Sequence, residues 1–133
     1  MRRMILSLAA VLVVSVAAQA QENPIEKVIA DQLAAFQADD FDTAYSFASP
    51  TIKRLFGSPE RFGQMVRDGY PMVYRPADVT MLEQRVMGGQ TVQRVMMRDA
   101  AGRLHFLAYQ MIETPEGWQI NGVQILRAPE VGA

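Results

Sequence analysis

The chain has 133 residues, with 13 Lys and Arg against 14 Asp and Glu, one histidine, no cysteine and a formal charge of −1 at pH 7. This balance argues against nucleic acid or anionic lipid as the main partner. The absence of cysteine excludes a disulfide framework, and a single histidine excludes a multi-histidine metal site, so no metal or cofactor is expected.

The first twenty residues read separately from the rest. Arg2 and Arg3 precede an almost wholly apolar run from Ile5 to Ala17, and Ala18-Gln19-Ala20 fits a small-residue cleavage site. That pattern predicts a secretory signal peptide over residues 1–20, with export to the periplasm or beyond the cell. A membrane anchor needs roughly 20 apolar residues, more than this run offers, so no membrane attachment is expected after cleavage. Residues 21–133 carry no repeat or low-complexity tract and predict one α+β domain able to bury a core without staples.

Asn23-Pro24-Ile25-Glu26 signals a helix start, with Asn23 as cap and Glu26 placed to reach back to it. Ile25, Val28, Ile29, Leu33 and Phe36 recur at three- and four-residue intervals and define the buried stripe of the longest helix. The expectation is that Ile29, Leu33 and Phe36 pack on Phe106, Ile120 and Val123. Asp39-Asp40 interrupts the stripe and caps a shorter helix bearing Phe41, Ala44, Tyr45 and Ala48. Ser49-Pro50 opens a turn with Ile52, Leu55 and Phe56, stopped by Gly57. Ser58-Pro59-Glu60 opens a further helix with Phe62, Met65 and Val66 inward. Tyr70-Pro71 and Arg75-Pro76 bracket an extended connector, since proline disfavours the helical region for the residue before it.

From Asp78 the pattern turns to strands. Gly88-Gly89, Ala100-Ala101-Gly102 and Thr114-Pro115-Glu116-Gly117 separate four apolar-rich runs, which predicts a four-stranded antiparallel meander. In the third run both alternating sets are apolar, Leu104, Phe106, Ala108 and Ile112 against Leu107, Tyr109 and Met111. Such a sheet needs two covers, one of them the helices and the other a possible second copy of the chain. Asn121-Gly122 predicts a bulge in the last strand.

Candidate chemistry is sparse. His105 paired with Asp39 or Asp40 would make an acid–base couple, although a helix start favours capping for the two aspartates, and a place beside Arg103 near a strand end favours solvation for the histidine. Asp99 reads as turn chemistry. Tyr45, Tyr70, Tyr74, Tyr109 and Trp118 are either an aromatic pocket lining or ordinary core and rim. Arg94 shares a face with Arg98; on the inner face the two would mark an anion site, and on the outer face they are solvated. No nucleophile elbow or phosphate-binding glycine loop is present.

Helices followed by a curved antiparallel sheet resemble the nuclear transport factor 2-like (cystatin-like) cone. FASP at Phe47 to Pro50, FGSPERF at Phe56 to Phe62, GYPMVYRP at Gly69 to Pro76 and GWQINGV at Gly117 to Val123 resemble the bacterial family called domain of unknown function 4864. The resemblance implies the cone fold and export, and it supplies no catalytic residue. The reading is of non-catalytic binding of a small apolar or amphipathic ligand, or of a protein partner. Its rivals are a small isomerase- or dehydratase-like enzyme using a carboxylate with His105 or a tyrosine, and an assembly protein dimerising through its sheet.

Overall fold

The computed structural model describes residues 23–127; the signal-peptide expectation lies outside them. Five helices come first: α1 (Pro24–Gln37), α2 (Phe41–Ser46), α3 (Pro50–Phe56), α4 (Pro59–Gly69) and α5 (Pro71–Tyr74). Four of them start where a side chain accepts an otherwise orphaned amide. Asn23 takes Ile25 N at 3.0 Å, Asp40 takes Thr43 N, Ser49 takes Ile52 N, and Ser58 takes Arg61 N, the last three at 3.2 Å. Proline at the first turn of α1, α3 and α4 fixes φ where no amide is needed.

The strands β1 (Asp78–Met87), β2 (Gln90–Arg98), β3 (Leu104–Thr114) and β4 (Gly117–Leu126) form one antiparallel sheet in the order β1-β2-β3-β4. This is the expected α+β arrangement, helices followed by a curved, unclosed meander. Gly88 and Gly89 turn β1 into β2 with φ of 58° and 80°, a left-handed pair that matches the twist of the strands they join. Asn121 is the extra residue of the bulge in β4, between Gly122 opposite Gln110 and Ile120 opposite Met111. A second bulge carried no sequence signal: β1 sets Leu82 and Glu83 against Arg94 alone, between the pairs Met81–Val95 and Gln84–Gln93.

Ile25, Ile29, Leu33 and Phe36 of α1 are buried in one core with Val95, Met97, Leu107, Tyr109, Met111 and Ile120 of the sheet. The odd-numbered residues of β3 therefore face the helices. Phe106 does not, which corrects the expected contact with α1: it alternates with Leu107 and lies on the outer face beside Met96. Val123 does pack against the core. The connector is also corrected. Tyr70 and Arg75 stay out of the helical region, as residues before proline do, with φ of −134° and −141° and ψ of 59° and 69°, yet Pro71–Tyr74 between them closes one helical turn, α5, with proline at its start.

Candidate functional site

An apolar cleft of about 240 Å³ opens between the helices and β4. Its floor is Phe36 of α1, Ala48, and Ile120 and Val123 of β4; α3 contributes Ile52, Leu55 and Phe56, α4 contributes Phe62, Met65 and Val66, and α5 contributes Val73. Phe62 is the hub of the aromatic wall, its ring centroid 5.8 Å from Phe36, 5.5 Å from Tyr45 and 5.8 Å from Phe56. These are the offset and tilted separations that aromatic pairs favour. The segment after α2 holds the floor to the sheet: Ser49 N donates to Ile120 O at 2.8 Å, and Ile120 N donates to Phe47 O at 2.9 Å. Leu55, 71% exposed, stands at the rim. Among the described residues the polar side chains of the lining are the Gln32 amide, 3% exposed, and Tyr70, whose hydroxyl donates to Val123 O at 3.3 Å.

The other residues proposed from sequence are dispersed. Tyr45 backs the wall and donates its hydroxyl to Lys53 O at 2.5 Å. Trp118 packs half-buried on the core. Tyr109 is fully buried, its hydroxyl has no hydrogen-bond partner among the described residues, and burial pushes its pKa up. Tyr74 donates to the Asp39 carboxylate, which also takes Arg75 at 3.0 Å. The Tyr74 hydroxyl first, then Arg75, hold the Asp39 carboxyl below its usual value. Arg75 also donates to Phe36 O at 2.6 Å, placing a cation at the C-terminus of α1. Asp40 is the cap of α2 and accepts both the Thr43 amide and its hydroxyl. Neither aspartate lines the cleft.

His105 does have a carboxylate, supplied by the turn and not by Asp39 or Asp40. Its Nε2 lies 2.8 Å from Asp99 Oδ2, while Asp99 Oδ1 accepts Ala101 N and Arg103 N, each at 2.9 Å. Asp99 thus ties the β2–β3 turn together, and the His105 contact first holds its carboxyl below the usual range. Neither partner lines the cleft.

Arg94, a candidate ligand-binding residue whose face the sequence leaves open, is on the outer face of the sheet. There it lines a separate groove of about 410 Å³ with Arg85, Val92, Ala108, Gln110 and Gln124. Its burial on that face, only 8% exposed, follows from the β1 bulge, which brings Glu83 Oε1 within 2.7 Å of Arg94 and 3.1 Å of Arg85. Gln93 on the other face secures the same bulge by donating to Leu82 O at 2.8 Å. Among the described residues no group of three or more His, Cys, Asp or Glu is placed to hold a metal ion, and no helix is long and apolar enough to cross a membrane.

Of the proposed ligand-binding residues, Tyr70 alone lines the cleft. The rest of its wall was visible in sequence only as inward stripes, Ile52, Leu55 and Phe56 and then Phe62, Met65 and Val66, whose helical spacing is the same for a filled core and an open one.

A family model described as Domain of unknown function (DUF4864) matches residues 18–133. The chain belongs to that family. No curated protein matches this DUF4864 chain. Among solved structures it is similar to the phospholipid-binding protein from Ralstonia solanacearum, determined in complex with a phospholipid. The two are 16% identical with a TM-score of 0.47, over 77% of this chain and 75% of that one.

Proposed function

We propose that this DUF4864 chain is exported by its N-terminal signal and binds one small apolar or amphipathic molecule in the helix-covered cleft, without catalysis. The observation that carries the reading is a concavity whose walls are aliphatic and aromatic and whose polar side chains, among the described residues, are Gln32 and Tyr70. The bonding of His105 to Asp99 at a turn, with neither group at the cleft, supports binding over acid–base turnover. The test is titration with N-phenyl-1-naphthylamine, a neutral dye that brightens in apolar surroundings. Saturable enhancement is expected, weakened at least tenfold by Met65→Trp, which fills the cleft from a half-buried position. No enhancement, or one that Met65→Trp leaves unchanged, overturns the reading.

A second copy on the outer sheet face is a further part of the proposal. Met96 and Phe106 lie half-buried on that face, opposite one another and uncovered by any described helix. Light scattering across a dilution series tests it: a dimer mass is expected, and a monomer mass at every concentration rejects it.

A further inference from the structure

Taking the cleft as the ligand site, we infer that the Gln32 amide is its specificity determinant and selects an uncharged molecule, or an uncharged end of one, with a single hydroxyl or carbonyl group. Among the described residues no Asp, Glu, Lys, Arg or His side chain lines the cleft. A carboxylate or phosphate carried inside would lose its hydration and meet no counter-charge, so the buried part of the ligand is neutral.

Gln32 sits on the buried stripe of α1, 3% exposed, and its Nε2 donates to Ala44 O at 3.1 Å. That bond fixes the plane of the amide. The other amide proton and Oε1 make no hydrogen bond among the described residues. An amide held in this way offers one donor and one acceptor in a wall whose other polar side chain among the described residues, Tyr70, already donates its hydroxyl proton to Val123 O. Sites built to bond a hydroxyl discriminate strongly against analogues lacking it, because the buried polar group is then left unpaired. If Gln32 served only to join α1 to α2, changing it would alter stability and leave the preference between matched ligands untouched.

Benzyl alcohol and ethylbenzene have the same number of heavy atoms and differ by a hydroxyl in place of a methyl. Their dissociation constants, measured by competition with the dye, give a ratio for the wild type and for Gln32→Met. The ratio favouring the alcohol is expected to fall about tenfold or more in the variant, a comparison from which the ligands' own hydration cancels. Benzoate is expected to bind the wild type at least tenfold more weakly than the alcohol. An unchanged ratio, or benzoate binding as well as the alcohol, overturns the inference while leaving the cleft as a binding site. Failure of both neutral probes to bind the wild type removes the cleft reading and this one with it. Should Gln32→Met not fold, the Gln32 side-chain amide resonances of the wild type decide: they shift with benzyl alcohol and not with ethylbenzene if the amide reads the hydroxyl. Equal shifts, or none, reject it.

Discussion

Gly63 lies in the middle of α4, buried, where a helix would ordinarily gain from alanine. In an exposed helix interior that exchange stabilises by about 0.8–1.0 kcal/mol. Here a Cβ would stand 2.5 Å from Phe41 Cγ and 2.6 and 2.7 Å from its two Cδ atoms. Carbon atoms rest at about 3.5–4.0 Å, so the ring must retreat by roughly 1 Å. Rotation of the ring about its own axis does not clear the clash, because Cγ is the root of the ring. Translation presses it toward Phe36 and Tyr74, whose centroids are 6.5 and 6.4 Å away. Overpacking of this kind typically costs about 1–3 kcal/mol. Set against the helix gain, Gly63→Ala is expected to destabilise by about 1 kcal/mol, lowering the melting temperature by roughly 4 °C or more. Urea unfolding measures it, and a cycle with Phe41→Ala isolates the cause. In that background the same glycine-to-alanine step should stabilise by about 1 kcal/mol, a reversal of sign. If Gly63→Ala stabilises the chain with Phe41 present, or has the same sign in both backgrounds, the packing argument fails.

Tyr109→Phe removes a buried hydroxyl that has no partner among the described residues, so unfolding free energy should stay level or rise by up to about 1–2 kcal/mol. A loss above about 1 kcal/mol would mean that the hydroxyl is bonded. Asp39, Asp40 and Asp99 are held below their ordinary value of 3.8, and Glu83 below 4.5. Between each folded pKa and its higher unfolded value the unfolded chain binds more protons, so the stabilisation is present above that range and is lost as pH falls through it. Thermal melts from pH 6 down to pH 3 should therefore show falling stability. Asp39→Asn should flatten part of that slope, since asparagine tolerates the φ of 54° found there but cannot titrate; an identical slope would count against the Asp39 cluster.

The helical half was readable because its signals are local. Serine, asparagine or aspartate before a helix, followed by proline at Asn23, Ser49 and Ser58, states the backbone geometry within four residues, and Asn23, Asp40, Ser49 and Ser58 all cap as that chemistry dictates. The sheet was readable in order and not in facing. With both alternating sets of β3 apolar, its sequence does not say which set meets the helices, and covering the most apolar strand with the longest apolar stripe does not decide whether Phe106 or Leu107 faces inward. Glu83 and Arg94 are eleven residues apart and meet only because of a bulge, which no local residue type announced. Two features were within reach. Gln32 falls at the three- and four-residue spacing between Ile29 and Phe36, a polar residue inside the stripe. Asp99 and His105 flank one tight turn, where antiparallel register brings such residues together.

The backbone contact between Phe47–Ser49 and Ile120 bears on association as well as on the cleft. A sheet invites further strands at its two edges, here β1 and β4. On β4 the outward amide and carbonyl of Ile120 are engaged by Phe47 and Ser49, and the carbonyl of Val123 receives the Tyr70 hydroxyl. Edge-to-edge filaments need every copy to offer both a donor and an acceptor edge. At Ile120 and Val123 the backbone of β4 is thus taken, so the short segment after α2 also stands in the way of a second chain adding along that part of the edge.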